Sequence, residues 1–226
     1  MVPFGLSMVI YRTINFVVLL MHTLMDSLGD RWHHLQMASF TLDTNCLIDV
    51  AEDRPTAVHI RTLLDARARG AADLALVASS ASERQQGGTY LASVVVFEER
   101  RNSLGFDGLP LLPSIGRWGL SFFDHSVSGS EQGSAREAAI YSLLFPTSPV
   151  EWAEYAAARG ADVNDLTSPA GMRWRNQMLD AQALWAHDHA GRDVFVTSDQ
   201  RLRVLNDHPD FPAMSIRTPQ EAVALL

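Results

Sequence analysis

From Phe40 onward, short apolar runs alternate with longer stretches in which apolar residues recur at helical spacing, a pattern that predicts βα units on a parallel sheet. Ser39 to Leu42 reads as the first strand. Asp43-Thr44-Asn45 then forms a turn and N-cap cluster ahead of a helix opened by Leu47, Ile48 and Val50. A second helical stretch runs from Ala57 to Arg69 and is closed by Gly70. Leu74 to Val77 is the next strand, and Ser79-Ser80 can cap the helix that carries Glu83.

The middle of the chain has a weaker pattern. Val94 to Phe97 fits a helix or a strand, and Gly105 to Pro113 and Ser126 to Ser134 are rich in loop-forming residues. Ala135 to Leu144 and Pro149 to Arg159 read as helices. In the last third the pattern sharpens again, with a helix from about Arg173 to Ala190 and a strand from Asp193 to Thr197. Ser198-Asp199 then caps a short helix, Ser215 to Arg217 forms a final strand, and Pro219 to Leu226 a final helix.

Residues before Met37 follow another pattern, with the apolar run Phe16 to Met21 between Arg12 and Asp26. A membrane span needs roughly 20 consecutive apolar residues, and Arg12, Asn15 and His22 interrupt this one. A signal peptide would need a small-residue cleavage site that Asp26 to Asp30 does not supply. The segment is therefore expected to be an accessory helix or the product of an upstream start, with Met37 as the natural first residue. The expected organisation is an N-terminal extension over 1–37 and one α/β domain over 38–226, with an insertion at about 100–170.

Composition narrows the function classes. The chain has 226 residues, 47% of them hydrophobic and 19% charged, as in a globular protein. Cys46 is the single cysteine, so there is no intrachain disulfide and no Cys-rich zinc site, and a cytoplasmic location fits best. The net charge of -8, with every basic residue an Arg, argues against a generic nucleic-acid coat protein. It leaves room for a metal-dependent nuclease, because a bound cation cancels carboxylate charge locally.

In an open parallel sheet, ligands bind beyond the carboxyl ends of the strands. Asp43 and Asp199 stand at two such ends, Glu83 follows a third, and Asp180 lies in the helix just upstream of the last of these strands. Four clustered carboxylates repel one another unless cations sit among them. Hard oxygen ligands suit Mg²⁺ or Mn²⁺, and such ions activate water against phosphodiesters.

These residues also resemble a known family. Phe40-Thr41-Leu42-Asp43-Thr44-Asn45-Cys46-Leu47-Ile48-Asp49 is similar to the opening strand and first motif of PIN domains, and Asp193-Val194-Phe195-Val196-Thr197-Ser198-Asp199 to their late strand and fourth acid. Leu179 to Ala186 is similar to the helix that holds the third acid. The resemblance covers Phe40 to about Glu83 and Met172 to about Leu226. It implies a three-layer α/β/α sandwich with a mostly parallel central sheet and Mg²⁺- or Mn²⁺-dependent cleavage of RNA at Asp43, Glu83, Asp180 and Asp199. It also implies support of the acids by Asn45 and Ser198, and, as for many family members, a role as the toxin of a toxin–antitoxin pair. An antitoxin protein and a second copy of the chain are then candidate partners beside single-stranded RNA. The stretch between Glu83 and Asp180 is wider than in the compact toxins, and Glu98 and Glu99 compete with Glu83 for the fourth place.

Blander roles stand beside these. Asp43 and Asp199 can serve as helix N-caps, and Glu83 suits a helix N-terminus for dipole reasons alone. Asp49 is expected to be solvated, and His187, Asp188 and His189 to be surface or packing residues. Arg173 and Arg175 are candidate phosphate contacts. Trp174 and Trp185 could stack on bases, although Trp185 lies in an apolar stripe that suits the core. Two other functions remain: an inactive module of the same fold that binds RNA or protein, and an aspartyl phosphatase. The second wants an Asp where Asn45 stands.

Overall fold

The structure is a computed structural model that describes residues 37–82, 94–121 and 125–226. The extension before Met37 and Glu83 lie outside these residues. The chain divides between Met37 and Ala38, and the second unit runs from Ala38 to Leu226.

The strands are β1 (Ser39–Leu42), β2 (Asp73–Val77), β3 (Leu111–Leu112), β4 (Ser114–Ile115), β5 (Ser126–Val127), β6 (Val194–Val196) and β7 (Ile216–Arg217). The helices are α1 (Thr44–Ala51), α2 (Ala57–Ala68), α3 (Val94–Ser103), α4 (Glu131–Leu144), α5 (Trp152–Ala157), α6 (Pro169–His189) and α7 (Pro219–Val223). A five-stranded sheet runs in the order β3-β2-β1-β6-β7, all parallel, and β4 pairs with β5 in a separate two-stranded ladder. The segment read as an insertion contributes edge strand β3 to the main sheet and helix α4 to the core.

Strand alternation sorts the core onto two faces, which makes the fold a three-layer α/β/α sandwich. Phe40, Leu42, Leu74, Leu76, Val194 and Val196 point to one face and pack with α1 and α2. Ala75, Val77, Phe195 and Ile216 point to the other and pack with α4 and α6. Both faces are covered, so the strands are predominantly apolar, as buried parallel strands require. Each fully buried Phe or Leu contributes about 2 kcal/mol from removal of apolar area from water. Trp174 and Trp185 belong to the α6 face of this core, and the Trp174 indole N–H donates to the Val150 carbonyl at 3.0 Å.

Several polar groups inside the core have specific partners. Thr41 of β1 is buried, and its Oγ1 lies 2.9 Å from Nδ1 of buried His187 on α6. Burial holds that imidazole down at about 4, so it is neutral at pH 7. His187 is thus a packing residue, and His189 stacks on Trp185 with ring centroids 4.6 Å apart. Asp188 receives the Arg136 guanidinium, which ties α6 to α4.

Asp49 departs from expectation. It is buried, and its carboxylate accepts bonds from Arg54, Thr56 and Ser198. It joins α1 to the start of α2 and to the loop after β6, so it is a structural anchor rather than a solvated residue.

Helix α6 begins four residues before the expected start. Ser168 caps it by accepting the Gly171 N–H at 3.1 Å, and Pro169 occupies the first turn, where a missing N–H costs nothing. A Cβ on Gly171 would clash with the Leu166 carbonyl oxygen, a backbone atom that cannot rotate away. Gly171→Ala is therefore expected to destabilise the fold by about 1–3 kcal/mol through overpacking, read as a lower midpoint in thermal melts. An unchanged midpoint would mean that the Leu166 turn moves freely.

Candidate functional site

The order of strands reverses at β1, where the chain crosses to β2 on one side and to β6 on the other, and crevices for ligands form beyond the strand ends at such a point. β1 and β6 are paired so that Leu42 faces Val196, and the Asp43 N–H donates to the Val196 carbonyl at 3.0 Å. This registers the residues that follow the two strands against each other. A cleft of about 230 Å³ opens there, lined by Asp43, Asn45, Ile48, Asn176, Asp180, Asp199 and Arg201.

Asp43 is the N-cap of α1, with extended backbone at φ -71° and ψ 160°. Its Oδ1 accepts the Thr44 N–H at 2.7 Å, and its Oδ2 accepts Asn45 Nδ2 at 3.0 Å and Thr197 Oγ1 at 2.6 Å. Each carboxylate oxygen offers two lone pairs, so one on Oδ1 stays unused. Burial pushes the carboxyl up to about 6 despite the hydrogen bonds from Thr197 and Thr44, and the charge of Asp199 adds to the rise.

Asp180 comes from the middle of α6 and shares a helical face with Asn176, four residues earlier, and with exposed Arg173, a further three back. Burial pushes its carboxyl up to about 8, the Asp43 charge adds to this, and the Arg201 charge opposes it. Asp199 caps the 3₁₀ turn Gln200–Leu205 and behaves oppositely, since hydrogen bonding from Arg201 holds it below the usual carboxylate range. Its backbone N–H donates to Thr197 Oγ1 at 3.0 Å, so one threonine hydroxyl links Asp199 to Asp43.

Three of the four acids singled out in the sequence, Asp43, Asp180 and Asp199, therefore line one cleft, and Glu83 lies outside the described residues. Glu98 and Glu99 sit on α3 and do not line it. Asn45 does bond Asp43, whereas the Ser198 hydroxyl goes to Asp49 at 2.9 Å. Arg175 donates to the Gly119 carbonyl at 2.8 Å and also does not line the cleft. Thr197, Asn176 and Arg201 were not singled out. Of these, Asn176 was open to discovery from its spacing to Asp180, while the side-chain directions of Thr197 and Arg201 after a strand end follow no periodicity.

The donor set is all oxygen, which suits a hard divalent cation. Two of its carboxyls are raised by burial, so negative charge there lacks compensation. Among the described residues no three His, Cys, Asp or Glu side chains come together closely enough, as they stand, to hold a metal ion. Asp199 turns its carboxylate to Arg201 instead.

A larger cavity of about 320 Å³ lies at the other end of α6, lined by Arg136, Trp185, Asp188 and His189 among others. Asp188 is already neutralised there by Arg136, so the smaller cleft is the better seat for carboxylate chemistry. No helix among the described residues is long and apolar enough to cross a membrane. No family model, no curated protein and no solved structure matches the chain.

Proposed function

We propose that this chain is a divalent-metal-dependent ribonuclease of the PIN type that hydrolyses single-stranded RNA. The observation that carries the reading is the convergence of Asp43, Asp180 and Asp199, from three separate elements, on one cleft at the switch point of a parallel sheet. Mg²⁺ or Mn²⁺ held by these three carboxylates, with Glu83 as the fourth candidate, would supply positive charge to a phosphoryl oxygen and lower the pKa of an attacking water.

The chain's own residues have separate tasks. Thr197, Thr44 and Asn45 fix the Asp43 carboxylate so that its remaining lone pair has one direction. Ionised Asp180 supplies a second negative charge once its proton leaves. The Asn176 amide, one turn before Asp180, offers both a donor and an acceptor to the substrate. Arg173 extends the same helical face into solvent, where it can meet a neighbouring phosphate of an extended strand.

Incubating a mixed RNA pool with the protein in Mg²⁺, in Mn²⁺ and in EDTA, read by end sequencing, tests the reading. Cleavage in either metal and none in EDTA is the expected result. A second reading, a module of this fold that binds RNA without cutting it, draws on the lack of a closed metal cluster among the described residues. Mn²⁺ binding without any cleavage would favour it. A toxin role in the cytoplasm, with an antitoxin or a second copy of the chain as partner, belongs to the same proposal.

Arg173→Ala is expected to weaken RNA affinity and to reduce its salt dependence by about one phosphate contact, leaving metal affinity unchanged. Arg175→Ala, by contrast, should leave RNA affinity alone, because its guanidinium already serves the Gly119 carbonyl. Filter binding across a salt series checks both, and equal losses in the two variants would contradict the assignment.

A further inference from the structure

Arg201 is the one cation lining the acidic cleft among the described residues. Its bonds to Asp199 are unusually complete. Oδ1 accepts the Arg201 backbone N–H at 2.9 Å and Nε at 3.0 Å, while Oδ2 accepts Nε at 3.0 Å and Nη2. A carboxylate offers about four lone-pair sites, and three N–H groups cover them, with the single Nε–H shared between the two oxygens. Asp199 therefore has nothing left to give a cation until the guanidinium leaves.

Leaving is cheap. The Arg201 side chain is 74% exposed and that of Asp199 17%, and an ion pair with its cation this open to water contributes roughly 1 kcal/mol. Asp199 stays in place meanwhile, because the Arg201 backbone N–H caps it and its own N–H is held by Thr197 Oγ1. The displaced guanidinium keeps its charge and its two-pronged geometry, which fits a phosphate as well as a carboxylate.

Resting on the nuclease reading above, we propose that Arg201 is an exchange residue: it occupies the cation's place on Asp199 in the resting cleft and, when a divalent cation takes that carboxylate, swings to grip a phosphate of the RNA backbone. Two consequences separate this from a merely structural pair. Removing the guanidinium should strengthen metal binding when no RNA is present, since a competitor is gone. The same change should weaken RNA binding when metal is present, since a phosphate ligand is gone.

The test uses the full chain, with Arg201→Ala and Arg201→Lys beside the parent. Calorimetric titration with Mn²⁺ alone should give a dissociation constant about two- to fivefold lower for Arg201→Ala, the size expected from loss of an exposed competitor. Binding of a phosphorothioate-linked single-stranded RNA oligonucleotide in Mn²⁺, its integrity checked on a gel after each titration, should fall about tenfold, with a salt slope smaller by about one phosphate contact. Arg201→Lys keeps the charge but not the fork, so it should fall between the two. If the parent binds both Mn²⁺ and the oligonucleotide while Arg201→Ala binds Mn²⁺ no more tightly or the oligonucleotide no more weakly, the exchange is wrong and the nuclease reading survives. A parent that binds no Mn²⁺ removes both.

Discussion

Asp43→Asn is expected to reduce RNA cleavage to background while leaving the metal-free protein at least as stable as its parent at pH 8. Asn preserves the size of the side chain and the carbonyl oxygen that accepts the Thr44 N–H, so the cap of α1 survives. What disappears is a negative charge. The Asp43 carboxyl is raised to about 6 because burial outweighs the hydrogen bonds from Thr197, Thr44 and Asn45. Its surroundings therefore favour the neutral form, and a neutral isostere removes an electrostatic cost that the ionised parent carries at pH 8. Thr197 Oγ1 can turn its hydrogen away and accept from the new amide, which limits the loss on the Oδ2 side.

With Mn²⁺ the order should invert, because a ligand that binds the native state stabilises the tighter binder more. Loss of a metal-holding carboxylate should lower cleavage by about 10³-fold or more, the scale attached to removing a charge-stabilising group from a reacting centre. Thermal melts in EDTA and in Mn²⁺, run beside the cleavage assay, examine these effects together. A variant that cleaves like the parent, or one that melts far earlier in EDTA, would reduce Asp43 to a structural cap.

That a helix cap and a candidate ligand coincide in one residue explains what the sequence makes legible. Asp43 and Asp199 end apolar strands and precede helical turns, so pattern alone located them at the carboxyl edge of a parallel sheet. The same runs make β1, β2 and β6 readable, with β1 observed over the expected residues, β2 starting one residue earlier and β6 one residue shorter at each end. β3, β4 and β5 have two residues each, too few for alternation to register, and β3 and β5 fall in stretches that read as loops. Periodicity also could not tell that Asp49, between Ile48 and Val50, turns inward to meet Arg54, Thr56 and Ser198. Arg201 was hidden for a related reason, since its partner is fixed by the path of the loop after β6 and not by spacing along a helix.

The pH dependence of the metal-free protein should run opposite to the common acid-labile pattern, with a higher melting temperature near pH 5.5 than near pH 8. Burial, and then the Asp43 charge, push Asp180 up to about 8, and burial pushes Asp43 up to about 6, both from an ordinary value of 3.8. Between the ordinary and raised values the folded chain keeps protons that the unfolded chain has released. Stability therefore falls as pH rises through that window and levels off above it. His187 works the other way, because its burial lowers it to about 4 from 6.5 and the unfolded chain takes up its proton first. One histidine set against two carboxyls leaves the net slope negative from about pH 5 to pH 8.

Divalent metal should reverse the trend, since ligation requires the ionised carboxylates and so competes with the same protons. At pH 6 a group titrating near 8 is ionised in only about one molecule in a hundred, so Mn²⁺ affinity should rise on the order of 100-fold between pH 6 and pH 8. Asp180→Asn isolates the cause. It should flatten most of the pH dependence of the metal-free melt above pH 6 and remove the steep rise in Mn²⁺ binding. Melting curves in EDTA at half-unit steps from pH 5 to pH 8.5, with matching Mn²⁺ titrations for parent and variant, supply the measurement. A parent whose metal-free stability climbs steadily from pH 5.5 to pH 8 would show that Asp180 is ionised at neutral pH without a cation, and its place among metal-holding carboxylates would lose its electrostatic motive.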